Sequence, residues 1–229
     1  KPGFIVNSII EYLKNNDMLP AICFVFSRRN VEKFDKQITV NLFGYDDAHF
    51  PSIIRDECYK IIKKIPNFKE YLNLPEYLDI VNLLAKGVAV HHSGIMPILR
   101  EMVELLFAKG YIKVLFATET FAVGINMPTK TVLFTSLSKY DNSGMRYLYS
   151  HEYTQMAGRA GRRGLDTIGH VIHCNNLFQN QPYVSEYKDI LSGKPQTLIS
   201  KFKISYGLLL NLISLNKLNM NDFINSSMI

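Results

Sequence analysis

The chain has 229 residues, 47% of them hydrophobic and 20% charged, a balance typical of a globular protein with a core to fill. No run of about 18 apolar residues occurs, which argues against a membrane-spanning helix, and the net charge of +6 modestly favours a polyanionic partner. Three widely spaced cysteines without a C-x-x-C pair argue against a disulfide framework and a zinc site, and they favour an intracellular, reducing environment.

Short apolar runs alternate along the chain with segments of helical periodicity. This alternation predicts an α/β fold with a parallel sheet flanked by helices. One helix is well marked, because Pro97 suits its first turn and Gly110 follows its apolar stripe. The predicted strands are 22–26, 87–90, 112–117, 131–135 and 170–174. The predicted helices are 29–38, 76–85 and 97–109, with further helical pieces between 41 and 73.

A turn-rich segment, Asp141-Asn142-Ser143-Gly144, lies between two aromatic arms. Such a pattern is typical of a β-hairpin, and a disordered surface loop is the alternative. The candidate hairpin comprises Tyr140, Asp141, Asn142, Ser143, Gly144, Met145, Arg146 and Tyr147.

Arg159 and Arg162 stand three residues apart in the segment QMAGRAGRRG, which begins at Gln155. If the segment is helical, both guanidinium groups lie on one face of a turn, and the small residues keep that face shallow enough for another surface to approach. A guanidinium fork is well suited to phosphate oxygens, so the pair indicates stabilisation of a transferring phosphoryl group. A solvated basic face on a surface helix is the alternative.

Polar residues follow several predicted strands at their carboxyl ends, where open α/β sheets bind their ligands. Arginine, short hydroxyls and the N–H groups at a helix start all suit phosphate oxygens. A charged loop at Arg28 and simple helix capping by Thr118 are the alternatives. His91 and His92 have no third ligand nearby, which argues against a metal site. The candidate phosphate-binding residues are Ser27, Arg28, His92, Ser93, Thr118 and Thr120.

Four blocks of this sequence resemble, in order, conserved blocks of the superfamily 2 helicases. The blocks are AICFVFSRRN at 21–30 (motif IV), VHHSG at 90–94 (the block after it), FATETFAVGINMP at 116–128 (motif V) and QMAGRAGR at 155–162 (motif VI). The wording of HHSGIMPILRE and EYTQMAGRAGRRGLD resembles the superkiller-type DExH-box helicases that feed RNA to the exosome. Four blocks in order at plausible spacing make the resemblance specific.

The resemblance implies a RecA-like helicase C-terminal domain over residues 1–175, with a parallel sheet flanked by helices. A connector is expected over 176–195. Residues 196–229 are expected to begin a helical or winged-helix module that is cut short.

The resemblance also implies roles for individual residues. Gln155, Arg159 and Arg162 are expected to face ATP across an interdomain cleft as catalytic residues, with the arginines as fingers for the γ-phosphate. Gly124, Asn126 and Gly158 are expected to line the nucleotide side. The candidate phosphate-binding residues are expected to hold single-stranded RNA by its backbone, and the hairpin is expected to separate strands.

The sequence contains neither a G-x-x-x-x-G-K-[ST] pattern nor a DExH box. Asp56 and Glu57 begin like such a box, but they stand in a polar helical stretch and not after a buried strand. The resemblance therefore implies that ATP and Mg²⁺ are held mainly by the N-terminal RecA-like domain of the same protein, and this chain is expected to be inactive alone. An RNA-processing or degradation complex is a further expected partner, whereas neither a membrane nor a protein-bound metal on this chain is expected.

The sequence leaves two other functions open. One is a DNA helicase or translocase of the same superfamily, since RNA is preferred over DNA from the resemblance alone. The other is a catalytically silent domain that binds nucleic acid or a partner. The retained Gln155, Arg159 and Arg162 argue against this second alternative.

Overall fold

The predicted parallel sheet is present, and it has five strands. The computed structural model describes residues 2–45, 47–122, 127–141, 144–174 and 182–192. The strands of these ranges are, in chain order, β1 (Ala21–Phe24), β2 (Val88–His91), β3 (Val114–Ala117), β4 (Thr131–Phe134), β5 (Ser138–Asp141), β6 (Gly144–Tyr147) and β7 (His170–His173). The five-stranded sheet has the order β2–β3–β1–β4–β7, and every neighbouring pair in it is parallel.

Because all these strands run the same way, the sheet has an amino edge, where they begin, and a carboxyl edge, where they end. Ala21 is paired with both Val114 and Thr131, so the strands begin at nearly the same level. β1 to β4 are buried along their whole length, as expected for apolar strands of a parallel sheet covered on both faces.

Helices cover the sheet, and their ends follow the expected sequence signals. Pro75 and Pro97 lie in the first turns of α5 and α6, and Gly110 takes a φ of +79° just after α6. The helices of the described ranges are α1 (Pro2–Asn15), α2 (Arg28–Asp35), α3 (Phe50–Ile62), α4 (Phe68–Leu72), α5 (Pro75–Leu84), α6 (Pro97–Ala108), α7 (Ser150–Ala157) and α8 (Val184–Ser192). A short 3₁₀ helix, Glu119–Ala122, follows β3.

The sequence predictions for the strands and for the three named helices are confirmed to within a few residues. Asp56 and Glu57 lie on α3, which confirms that they are not a DExH box. α1 was not predicted, and α8 occupies part of the expected connector, where its Ile190 is only 3% exposed. The expected helical or winged-helix module at 196–229 lies outside the described residues.

The hairpin prediction is confirmed in preference to the disordered loop. β5 and β6 pair antiparallel, with Lys139 opposite Arg146 and Asp141 opposite Gly144. Asn142 and Ser143, between the strands, lie outside the described residues. Tyr140 is 70% exposed, so the hairpin presents an aromatic ring to solvent.

The three cysteines are unpaired thiols. Cys23 and Cys58 are buried, and Cys174 is half-buried. Burial raises the pKa of all three, that of Cys58 to about 12. No group of three or more metal-ligating side chains occurs among the described residues. Within the same ranges, no helix combines the length and the apolar character needed to cross a bilayer.

Candidate functional site

The carboxyl edge gathers the predicted phosphate-binding residues. They follow β1, β2 and β3, which are neighbours in the sheet, so the loops that carry them meet on one side. A pocket there is lined by Arg28, Glu32, Glu76, Asp79, Ile80, Val90, His92, Gly94 and Ile95. The structure therefore brings Arg28 and His92 together, as the topology predicts.

Arg28 lies across the backbone of Gly94. A Cβ atom built on Gly94 would be 2.0 Å from Cζ of Arg28, so only glycine lets the guanidinium lie there. The Nε atom of Arg28 donates to Oε1 of Glu32 at 2.7 Å, and this bond lowers the pKa of Glu32. Both side chains are about half exposed, at 59% and 47%. Arg28 can therefore leave Glu32 for another anion at small cost.

His92 is buried, with 4% of its surface exposed. Its Nδ1 accepts a hydrogen bond from the Gly94 N–H at 3.1 Å, and burial lowers its pKa. A neutral, buried imidazole offers no positive charge to a phosphate, so His92 acts here by shaping the loop under Arg28. Ser93, beside it, is exposed. The hydroxyl of Ser27 accepts from the Asn30 N–H and caps α2.

Thr118 and Thr120 share a hydrogen bond between their hydroxyls, 3.0 Å long. Thr118 is only 7% exposed, whereas Thr120 is exposed. The Thr118 N–H donates to the carbonyl of His91, whose imidazole lies 2.7 Å from Oε1 of Glu104. Thr120 is therefore the better placed of the two hydroxyls to meet a ligand. Gly124 and Asn126, further along motif V, lie outside the described residues.

The arginines predicted to bind phosphate lie at the opposite, amino edge. Gln155 is exposed on α7, but α7 ends at Ala157 and Gly158 caps it, so Arg159 and Arg162 stand in the loop that follows. The expectation that both guanidiniums share one face of a helical turn is therefore wrong. α7 ends at the Gly158 cap, and the φ of +91° at Gly161 then keeps the chain from resuming helical geometry before Arg162.

Long-range pairing holds this arginine loop in place. The Thr129 N–H donates to the Arg159 carbonyl at 2.8 Å, and the Gly161 N–H donates to the Thr129 carbonyl at 2.7 Å. Gly169 packs backbone to backbone against the loop, since a Cβ atom on it would lie 2.5 Å from the carbonyl carbon of Ala160. The small residues thus allow close packing within this chain. Thr129 lies two residues before β4 and Gly169 one residue before β7, which places the loop at the amino edge.

The Asp166 carboxylate binds one side of the Arg162 guanidinium. Nε donates to Oδ2 at 2.7 Å, Nη2 donates to Oδ1 at 2.8 Å, and the Arg162 N–H also donates to Oδ2 at 3.0 Å. These bonds lower the pKa of Asp166 to about 2. Because Asp166 takes the Nε–Nη2 side, the end around Nη1 is directed away from the carboxylate. Arg162 keeps 29% of its side chain exposed, whereas Asp166 keeps 5%.

Arg159 is half-buried, and burial lowers the pKa of its guanidinium. Arg163, next to Arg162, is exposed. The amino edge therefore presents Gln155, Arg159 and Arg162 on one continuous segment.

Comparison with known proteins finds helicases that are similar to this chain. A family model, the helicase conserved C-terminal domain, matches residues 65–164. The antiviral helicase SKI2 of Saccharomyces cerevisiae is 40% identical over 221 residues, which cover 96% of this chain and 17% of the relative. The exosome RNA helicase MTR4 of Homo sapiens is 37% identical over 214 residues, 93% of this chain and 20% of the relative. The DExH-box ATP-dependent RNA helicase DExH10 of Arabidopsis thaliana is 40% identical over 209 residues, 91% of this chain and 20% of the relative.

The chain belongs to the superfamily 2 DExH-box helicases of the superkiller and exosome type. It spans about a fifth of the length of the relatives it matches. Its parallel sheet flanked by helices is that of a RecA-like helicase C-terminal domain.

In this helicase domain, motif V (116–128) starts on the last residues of β3, at the carboxyl edge, and Thr129, which follows it, lies at the amino edge. The 3₁₀ helix at its start packs against α7, which ends at the arginine loop. One stretch of chain thus links the candidate nucleic-acid side to the candidate nucleotide side.

The roles of two acidic residues of the helicase domain were not predicted from the sequence. Asp166 orients Arg162, and Glu152 binds two cations of the hairpin. Asp166 stands four residues after Arg162, a spacing that suits an ion pair within one turn and could have signalled it. The sequence carried no comparable signal for Glu152, because its partners lie on a hairpin whose register becomes known only from the structure.

Proposed function

We propose that this chain forms the C-terminal half of the motor of an ATP-dependent RNA helicase. Its role is to supply Arg159 and Arg162 as fingers, and Gln155 beside them, to an ATP site between two RecA-like domains. The P-loop, the DExH box and the ligands of Mg²⁺ belong to the other domain, because this sequence contains neither motif. This chain alone neither binds ATP tightly nor hydrolyses it.

This proposal rests mainly on the hydrogen bonds by which the Asp166 carboxylate holds the Arg162 guanidinium. A guanidinium already held in place stabilises developing negative charge without a reorganisation cost at the moment of reaction. The Nη1 end, turned away from Asp166, suits the oxygens of a transferring phosphoryl group. Arg159, half-buried on the same loop, adds a second positive charge. Approach of the two domains would complete the site, and their separation after hydrolysis would dismantle it.

RNA binds, in this proposal, along the carboxyl edge through its phosphates. Arg28 releases Glu32 to meet a phosphate oxygen, and Ser27, Ser93 and Thr120 add hydroxyl and backbone donors. His92 and Thr118 are buried, so they support these loops from the interior of the domain. Contacts to phosphates carry little sequence information, so binding is expected to be nearly independent of sequence. Gly124, Asn126 and Gly158 are proposed to line the nucleotide side.

The hairpin is proposed to separate nucleic-acid strands, and the exposed ring of Tyr140 lies on its first strand, β5. The proposed partners are single-stranded RNA, the N-terminal RecA-like domain of the same protein and an RNA-processing or degradation complex inside the cell. The relative that is named an exosome RNA helicase, MTR4, supports the last of these.

The test is RNA-stimulated ATPase activity of the complete protein, with Arg162→Ala compared against Arg163→Ala. Arg163 is the matched control, because it is an exposed arginine one residue away. Arg162→Ala is expected to lower turnover by about 10³-fold while RNA binding persists, and Arg163→Ala is expected to retain activity near wild type.

Absence of RNA-stimulated ATPase in the folded wild-type protein would overturn the motor function and favour a silent binding domain. Stronger stimulation by DNA than by RNA would favour the DNA helicase. Equal losses in both arginine variants would remove the finger role from Arg162.

A further inference from the structure

A single carboxylate joins the hairpin to α7. Oε1 of Glu152 lies 2.7 Å from Nζ of Lys139 and accepts from Nη2 of Arg146 at 2.9 Å. Oε2 accepts from Nη1 of Arg146 at 2.8 Å and from the Tyr149 N–H at 2.9 Å. Glu152 therefore caps the first turn of α7 and holds one cation from each hairpin strand.

The charges of the hairpin favour this contact. Lys139 and Arg146 are directly opposite in the β5–β6 register, so their side chains leave the same face of the hairpin. Like charges at directly opposed positions destabilise a strand pair. Glu152 lies between them and offsets that repulsion, and all three side chains are at most 22% exposed.

The protonation behaviour of Glu152 agrees with a strong contact. Burial raises its pKa, but the hydrogen bonds from Arg146 and Lys139 outweigh burial and lower the pKa to about 2. Arg146 is held from other sides as well. Its Nε donates to Asp141 Oδ2 at 2.5 Å, and its guanidinium lies 4.0 Å from the centre of the Tyr149 ring.

Glu152 also stands on the helix that leads to the arginine loop. It precedes Gln155 by three residues, which is about one turn of α7. The hairpin is thus anchored at the beginning of the same short helix whose end carries the proposed nucleotide-contacting residues. A displacement of the arginine loop on domain closure would be passed through α7 to the hairpin.

We propose that Glu152 is a positioning residue that couples nucleotide-driven movement of motif VI to movement of the strand-separating hairpin. This inference rests on the proposed function. With the contact in place, α7 and the hairpin move as one body. Without it, the hairpin keeps its strand pairing but no longer follows the arginine loop.

The test is the number of base pairs separated per ATP hydrolysed, measured in the complete protein for wild type, Glu152→Gln and Glu57→Gln. Glu57 is a matched control, because it also binds two lysines, Lys60 and Lys109, and they lower its pKa to about 2. It joins α3 to the end of α6 and touches neither the hairpin nor α7. Its side chain is 16% exposed, close to the 18% of Glu152.

Glu152→Gln is expected to lower the base pairs separated per ATP by at least about fivefold, the lower end of typical coupling between sites. RNA-stimulated ATPase is expected to stay close to wild type, and Glu57→Gln is expected to leave both quantities unchanged. The double variant Lys139→Gln, Arg146→Gln removes the facing cations together with the contact. It is expected to show the same loss, and adding Glu152→Gln to it is expected to cause little further loss.

An unchanged number of base pairs per ATP in Glu152→Gln would overturn the inference. Equal falls in ATPase and unwinding would overturn it too, since they would place Glu152 in the nucleotide site or in general stability. An equal loss in Glu57→Gln would show that the effect is not specific to the hairpin. A wild-type protein that hydrolyses ATP with RNA but separates no strands would overturn this coupling and leave the ATPase motor intact, whereas no ATPase at all would overturn both.

Discussion

The two edges of the sheet hold their arginines in opposite ways. At the amino edge, Arg162 is gripped by Asp166 through three hydrogen bonds, and that carboxylate is 5% exposed. At the carboxyl edge, Arg28 is paired with Glu32 by one hydrogen bond, and both side chains are about half exposed. In the proposed function, Arg162 acts at a fixed place and is held firmly, whereas Arg28 takes and releases a passing strand and is held loosely.

The energetic difference follows from burial. An exposed ion pair contributes at most about 1 kcal/mol, so a phosphate can displace Glu32 from Arg28. The Asp166 carboxylate is largely buried and accepts hydrogen bonds at both oxygens. Displacing it from Arg162 costs more, because its buried charge would be left without a partner. Each of the following predictions tests one side of this contrast.

Asp166→Asn is expected to have the largest effect, because it removes the charge that orients Arg162 while keeping the shape of the side chain. Loss of orientation lowers the ATPase turnover of the complete protein by up to about 100-fold, with RNA affinity unchanged. Asp17→Asn is the control, since Asp17 also pairs with a cation, Lys130, at the amino edge but is 94% exposed. Unchanged turnover in Asp166→Asn would show that the charge of Asp166 is not needed to orient Arg162.

Arg28→Ala is expected to have a moderate effect on RNA binding and little on the basal ATPase. Loss of one phosphate contact makes the slope of log affinity against log salt less steep by about 0.7 for single strands. Arg55→Ala on α3 removes the same charge elsewhere and controls for net charge. Glu32→Gln, which releases the Arg28 guanidinium, is expected to shift affinity in the opposite direction. Equal weakening by Arg28→Ala and Arg55→Ala would contradict a specific phosphate contact.

Acidification is expected to have the smallest effect, and to act on the carboxyl edge alone. His91, His92 and His173 stand at or just after the carboxyl ends of β2 and β7, and burial lowers the pKa of each. In the unfolded chain these histidines become protonated near their ordinary pKa of 6.5. In the folded chain they stay neutral to a lower pH. Their contribution to stability is therefore complete above pH 6.5 and is lost as the pH falls towards their folded pKa values.

Urea unfolding at pH 7.5 and 5.5 measures this loss as a lower free energy of unfolding at the lower pH. His173→Gln is expected to reduce the difference between the two pH values, whereas His151→Gln, at an exposed position, is expected to leave it unchanged. Asp166 has a pKa of about 2, so it stays ionised throughout and the amino edge is unaffected. An equal difference in wild type and His173→Gln would contradict the role of burial.

The carboxyl edge was largely predictable from the sequence, and the amino edge was not. Apolar runs located the strands, and parallel strands bring the residues that follow them to one side. The sequence could not show that His92 is buried, because that depends on packing around Gly94. Nor could it show that Arg159 and Arg162 leave the helix. Their positions depend on pairing with Thr129, which comes from a distant part of the chain, and on the close approach of Gly169.

Asp166 and Glu152 illustrate the same limit at the level of single side chains. Asp166 lies within one turn of its partner, so the local spacing contained the information. Glu152 binds Lys139 and Arg146 only because the β5–β6 register places them opposite each other. Local contacts can be inferred from spacing, but contacts that depend on strand register cannot.

The protonated, protected thiols make this chain well suited to fluorescence labelling. Thiols with raised pKa values react slowly with maleimides at neutral pH, and two of the three are buried. This chain also contains no tryptophan, so one introduced into it would be the only tryptophan of this part of the protein. Cysteines placed at Tyr140 and Leu165, which are 70% and 75% exposed, would carry a pair of dyes on the hairpin and beside the arginine loop. Energy transfer between such dyes would report the distance between the two regions.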